Sequence, residues 1–205
     1  TNGYVHIEPM TDDNSNTLAS IGQGYYAFGS QGEEQSFATS YIPTSGATNT
    51  RNRDLATNSG NATLINSTEG VLYAEIAALA DDLTFRNISL SDGTNNNTIR
   101  LGYRTDSNAI YADLRSSSSG QVSLVYITTG ITNFQKVAFK YKLNDFSLFI
   151  NGSKVLTDTS GLTPIGLNKL SFAQGSGGSI FFGKNKALAV YKEALTDAEL
   201  QSLTT

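Results

Sequence analysis

The sequence predicts an all-β sandwich closed by one short C-terminal helix, and three observations carry that prediction. From Leu64 onward, segments rich in β-branched and aromatic residues recur at about 10- to 14-residue intervals, the spacing of a sandwich rather than of alternating strands and helices. The segments are separated by two-residue or Gly- and Ser-rich turns such as Asn151-Gly152 and the stretch 175–178. One stretch alone carries a helix signal. Thr196 is followed three residues later by Glu199, a capping box in which the hydroxyl accepts from the Glu199 N–H and the carboxylate reaches back to the Thr196 N–H.

The elements follow in order. Residues 4–8 alternate like a strand around His6, residues 11–16 are a polar loop, and residues 24–29 are a short aromatic strand framed by glycines. Residues 1–46 are therefore expected to be either the tail of an upstream β-sandwich or strands added to the main domain, which is expected to cover 47–205. Strands are expected over 71–79, 83–90, 98–104, 109–115, 122–128, 136–143, 146–150, 170–172, 179–182 and 187–191, with another short one after Asn151-Gly152. Val137, Phe139, Tyr141 and Leu143 alternate with Lys136, Ala138, Lys140 and Lys142, which predicts one buried face and one lysine-bearing face in water. Asn144-Asp145 and Asn151-Gly152 read as two-residue hairpin turns, so the strands around them form a meander. In the closing helix, Leu200 and Leu203 are placed to pack down.

A chain of 205 residues suits one large β domain, with or without a small appendage. Cysteine is absent, which excludes a disulfide framework, a thiolate nucleophile and a cysteine-based zinc site. The net charge of -4 and pI near 4.9 argue against a surface that tracks phosphates, so no nucleic-acid partner is expected. No run approaches the roughly 18 apolar residues of a membrane span, and the first residues lack the basic start and apolar middle of a signal peptide. No membrane insertion is expected. Because the chain begins without Met, it reads as a fragment or a processed form.

Three stretches carry a resemblance. The alternating strand running into ALTDAEL at 194–200 resembles the end of concanavalin A-like domains of the laminin-G-like kind, and FSLFING at 146–152 is similar to a hairpin of that family. Residues 38–54, ATSYIPTSGATNTRNRD, are similar to a junction found just upstream of such domains in tail-fibre and other virion proteins of tailed bacteriophages. The resemblance covers roughly residues 38 to 205. It implies a concanavalin A-like β-sandwich, or jelly roll, on the surface of a virion, outside any cell. It also implies other virion proteins as partners and a homotrimeric state.

Glycoside hydrolases of this superfamily carry an E-x-D-x-x-E pattern, and a retaining hydrolase needs two carboxyls about 5 Å apart. Glu75 has no acidic partner at the two-residue spacing, so it reads as a strand residue facing solvent or capping an arginine. His6 is the single histidine, which disfavours a His-Tyr lyase and a Ser-His-Asp triad. No enzyme activity is expected. Laminin-G-like domains often hold Ca²⁺ at a rim, and Asp92, Asn95, Asn97, Asp106 and Asn108 carry the oxygens a hard cation takes. The same residues also suit turn chemistry alone.

Sugar recognition needs aromatic faces and polar groups that read hydroxyl pairs. Tyr111, Asp113 and Arg115 alternate with Ile110, Ala112 and Leu114, and so share the face turned away from the core, beside Arg100 on the preceding strand. Tyr103 has the parity of Ile99 and Leu101 and belongs to the core. Arg100, Tyr111, Asp113 and Arg115 are thus the candidate glycan-binding residues, against the plainer reading of a solvated face with cross-strand ion pairs. The functional expectation is a non-catalytic, lectin-like domain of a phage fibre that contacts host-surface glycan or polysaccharide. A purely structural or oligomerisation domain of the virion is the first alternative, and a polysaccharide-degrading enzyme the second.

Overall fold

The computed structural model describes residues 59–205 together with Pro43 and Ala47. The chain divides into two compact units, Thr1–Arg53 and Asp54–Thr205, and all the elements below belong to the second. The expected strands at 4–8 and 24–29, His6, the 46/47 boundary and nearly all of the 38–54 junction lie outside the described residues.

Among the described residues ten strands and one helix are formed: β1 Glu69–Ala78, β2 Arg86–Ser91, β3 Thr98–Tyr103, β4 Ala109–Ser116, β5 Ser119–Ile127, β6 Gln135–Lys142, β7 Asp145–Ile150, β8 Ser153–Asp158, β9 Lys169–Ser171, β10 Gly183–Tyr191 and α1 Asp197–Thr204. They build two five-stranded antiparallel sheets, ordered β10-β1-β6-β7-β8 and β5-β4-β3-β2-β9. No described helix is long and apolar enough to cross a membrane.

Alternation along each strand generates the core. Leu72, Ala74 and Ile76 of β1, Val137, Phe139 and Tyr141 of β6, and Phe146, Leu148 and Ile150 of β7 face Ile88, Leu90, Ile99, Leu101, Tyr103, Ile110, Ala112 and Leu114 of the other sheet, all buried. The β7–β8 connection is Asn151-Gly152 with φ of 47° and 77°, the pair of left-handed residues that a type I′ turn demands and that Asn-Gly tolerates best. Asn151 also fixes the turn from outside, since its Oδ1 accepts from the Lys136 N–H at 2.9 Å.

The first sheet buries its second face as well. Val71 and Tyr73 of β1, Ala138 of β6 and Phe149 of β7 pack under Leu200 of α1, with Leu195 and Leu203 at the margin. Thr196 caps the helix in both directions of the capping box, its N–H donating to Glu199 Oε2 at 2.8 Å. The Thr204 hydroxyl accepts from Gly152 N–H at 3.1 Å and Lys154 Nζ donates to Asp197 at 2.9 Å, so the β7–β8 turn holds both ends of the helix.

That roof corrects one expectation. The alternate face of β6 is not a lysine face in water: Ala138 is fully buried, and Lys140 is 7% exposed with its ammonium against Asp145 at 2.8 Å. Two smaller corrections concern connections. Lys142 pairs with Asp145 in the ladder, which makes the turn Leu143-Asn144 rather than Asn144-Asp145. Residues 179–182 form no strand beyond a single bridge from Ile180 to Asn87, because Phe181 turns inward to stack on Tyr103 while Phe182 turns out.

Leu200→Ala is expected to cost about 2–5 kcal/mol, the range for deleting a buried leucine side chain, read as a lower denaturant midpoint. Glu199, hydrogen-bonded by Thr196, and Asp197, hydrogen-bonded by Lys154, both titrate below their ordinary values. The native state thus binds fewer protons than the unfolded chain near pH 4, so their contribution is complete above about pH 5 and is lost as pH falls through the native values. An acid titration followed by circular dichroism checks this, and Glu199→Gln is expected to flatten it.

Candidate functional site

With one sheet covered on both sides, the outer face of the second sheet is the place where polar side chains gather on strands. Register fixes its rows: Asn87, Gly102, Tyr111 and Val125; then Ser89, Arg100, Asp113 and Ser123; then Lys169, Ser91, Thr98 and Arg115. Tyr111, Asp113 and Arg115 lie opposite the core residues Ile110, Ala112 and Leu114, and Arg100 joins them from β3. The segment after β9 walls one side. Ser89 Oγ donates to Ala173 O at 2.6 Å, Asn87 N–H donates to Ser179 O at 3.0 Å, and a Cβ on Gly175 would lie 1.9 Å from Thr94 O. Only glycine permits that approach.

Arg100 and Asp113 are cross-strand partners in the ladder and form a bidentate pair, Nε to Oδ1 at 2.7 Å and Nη2 to Oδ2. This is the cross-strand ion pair of the plainer sequence reading. Burial pushes the Asp113 carboxyl up; the hydrogen bonds and charge of Arg100, with the charges of Arg115 and Arg104, pull it back without cancelling that effect, so it titrates above the ordinary value. Burial pulls the Arg100 guanidinium down, and Asp113 more than restores it. The pair leaves both groups oriented across the face at a geometry their two strands dictate.

Tyr111 does not offer an open ring. It is 2% exposed, its hydroxyl donates to Asn87 Oδ1, and Phe85 packs edge-on against it with ring centroids 5.7 Å apart. Parity puts Tyr111 on the right face, and the neighbours that cover it are Asn87 of β2 and Phe85 just before that strand. The accessible aromatic there is Phe85 itself, 40% exposed, with Phe182, 45% exposed, nearby under the Arg86 guanidinium at 5.1 Å. Phe85 could have been found by extending the β2 alternation back from Asn87.

Arg115 donates through Nη2 to Ser118 O at 2.5 Å. Arg86, Arg100 and Arg104 each lie within ion-pair distance of an aspartate, and Arg115 alone of the described arginines does not. Its register partner Thr98 is fully buried, and both the Thr98 hydroxyl and the Arg115 Nε lack a hydrogen-bond partner.

The five candidate calcium ligands do not form one cradle. Asp92, Asn95 and Asn97 precede β3 while Asp106 and Asn108 follow it, which puts them at opposite ends of a six-residue strand about 20 Å long. Each is engaged in loop chemistry. Asp92 accepts from the N–H and hydroxyl of Thr94 at 2.8 and 2.6 Å and from Asn97 Nδ2 at 2.9 Å. Burial pushes its carboxyl up, but these hydrogen bonds outweigh burial and hold it below the ordinary value. Asn95 exchanges hydrogen bonds with Ser176, Asp106 faces Arg104 at 2.9 Å, and Asn108 Oδ1 accepts from the Ile131 N–H at 3.3 Å. No cluster of three or more His, Cys, Asp or Glu suited to a metal occurs among the described residues.

Asn97 is the central clamp: its Oδ1 accepts from the N–H of Ser117 at 3.0 Å and of Ile165 at 3.3 Å. It thereby holds the β4–β5 turn, where Ser117 and Ser118 sit at φ of 49° and 71°. On the first sheet, Glu75 is 9% exposed and accepts from Lys186 Nζ at 2.8 Å, while its register partners are Lys136 and Ala187. No carboxylate stands opposite it in either ladder.

No family model matches the sequence, and no curated protein matches it. Solved structures do share the fold. The CBM40 domain of Ruminococcus gnavus IT-sialidase bound to alpha2,3 sialyllactose matches at 18% identity and a TM-score of 0.57, over 68% of this chain and 84% of its own. The leech intramolecular trans-sialidase matches at 20% identity and a TM-score of 0.55, over 68% of this chain but only 23% of the enzyme. Domain 4 of AbnA, a GH43 extracellular arabinanase from Geobacillus stearothermophilus, in complex with arabinotriose, matches at 15% and 0.50, over 69% of each chain. The fold is a concanavalin A-like jelly-roll β-sandwich with one short C-terminal helix.

Asn97→Ala is expected to destabilise the chain by about 1–3 kcal/mol, because two backbone N–H groups lose their shared acceptor. The checks are chemical denaturation for the magnitude and amide exchange at Ser117 and Ile165 for the location.

Proposed function

We propose that the chain is a non-catalytic carbohydrate-binding module that reads glycans on the outer face of the β5-β4-β3-β2-β9 sheet. The observation that carries this reading is the row built around Arg100 and Asp113, two charged groups fixed by ladder geometry on the face that α1 does not cover. Planar, multidentate groups of that kind pair with adjacent sugar hydroxyls, and Phe85 supplies an accessible ring face beside them. Two of the structural neighbours named above were solved with oligosaccharides bound, which supports the reading. Glu75, held by Lys186 and with no second carboxylate opposite it in either ladder, does not supply the paired carboxyls of a retaining glycosidase, which supports a non-catalytic reading.

The setting we assign is the virion of a tailed phage, where the glycan belongs to the host surface and the domain sits in a trimeric fibre. The sequence junction at 38–54 is what supports it. A broad glycan array probed with the full chain tests the binding function, and light scattering tests the trimer. Saturable binding that falls at least about tenfold in Phe85→Ala, with the melting profile unchanged, is the expected result. A blank array from a trimeric chain would replace this reading with a structural fibre domain.

A further inference from the structure

The outer face of the second sheet and its rim gather Arg100, Arg104, Arg115 and Lys169 around the carboxylates of Asp113, Asp106 and Asp92. Asp113 is hydrogen-bonded to Arg100, Asp106 is paired with Arg104 and Asp92 is held by Thr94 and Asn97, so neither Arg115 nor Lys169 lies within ion-pair distance of a carboxylate among the described residues. Lys169 is exposed and forms no ion pair among the described residues, and its ammonium lies over Gly93, where an added Cβ would meet Nζ at 2.7 Å. It occupies the same register row as Ser91, Thr98 and Arg115.

Two features at this end point to a ligand rather than to a solvated surface. The Thr98 hydroxyl is fully buried without a hydrogen-bond partner, and so is the Nε of Arg115 beside it. Buried donors left unsatisfied are costly, and an arginine on a sheet face that forms no ion pair is the group that most readily takes a planar or tetrahedral oxyanion. The guanidinium is also preset, since Nη2 is held by Ser118 O and the Ser117-Ser118 turn is held by Asn97.

Resting on the glycan reading, we infer that the ligand is an acidic saccharide whose carboxylate or sulfate group is received by Arg115, with Thr98 and Lys169 beside it. The neutral part of the sugar then extends along the face toward Arg100, Asp113 and Phe85. Arg115 reads the anion, and the Arg100–Asp113 pair reads hydroxyls.

The test is calorimetric titration of the full chain with lactose, sialyllactose and sulfated lactose, which share a neutral core and differ in the anionic group, alongside a broad array of neutral glycans. Binding of one or both acidic sugars at least about tenfold tighter than lactose is expected, weakening as salt rises. Arg115→Gln is expected to bring acidic binding down to the lactose level with the circular dichroism melt unchanged. Should that variant fail to fold, Lys169→Gln, at an exposed site, must still weaken acidic binding and leave neutral binding alone. Preference for sialyllactose or for the sulfated sugar identifies the anion as carboxylate or sulfate. Equal binding of neutral and acidic sugars, indifferent to Arg115→Gln or Lys169→Gln, overturns the inference and leaves the glycan reading standing. No binding to any glycan overturns both.

Discussion

The burial of β1 on both of its sides sets the plan of this domain. Its ladder joins β6 on one edge and β10 on the other, and alternate side chains go to two separate apolar clusters, Leu72, Ala74 and Ile76 to the space between the sheets and Val71 and Tyr73 to the space under α1. A strand with two apolar faces needs cover on both, and the capped helix supplies the second cover at low conformational cost because its first turn is satisfied by its own side chains. Among the described residues the opposite sheet has no such helix, and its outer face carries the Arg100–Asp113 pair instead.

On that face, the positions of charged groups follow from ladder register more than from loop conformation. Arg100 and Asp113 are opposed because β3 and β4 pair Ile99 with Leu114 and Leu101 with Ala112, a register that slips only if every core residue of both strands changes sides. The packing of the core and the orientation of the polar pair are thus one constraint. A bulge between Leu114 and Arg115 then shifts β5 relative to β4, so Arg115 pairs with Gly120 beside the β4–β5 turn. Arg115, which forms no ion pair among the described residues, thus stands apart from Arg100, which Asp113 clamps.

Much of this was legible in the chain. Period-two patterning located the strands that became β1 to β7 and β10, and the Thr196–Glu199 box located α1, because both signals are local. Parity alone also assigned Tyr103 to the core and Tyr111, Asp113 and Arg115 to the other face. What it missed was contributed by partners distant in sequence. The covering of Tyr111 comes from Phe85 and Asn87, Lys140 meets Asp197 of a helix more than fifty residues away, and the split of the Asp and Asn residues between two ends of β3 depends on which way the strand runs past its loops. Residues of these types serve turns and metal sites equally well, and only the direction of the intervening strand separates the two uses.

The Asn97 side chain reaches both the β4–β5 turn and the segment at Ile165, and through Asp92 it is tied to its own β2–β3 connection. Three surface connections are thereby made into one stiff piece. Loops at the mouth of a recognition face usually exact an entropic toll when they settle onto what they bind. Here that settling has been done in advance by amide groups during folding, and the guanidinium hanging from Ser118 inherits the stillness of the knot beneath it. Whatever meets this end of the sheet meets a surface that has already chosen its shape, so discrimination there would rest on fit rather than on adaptation.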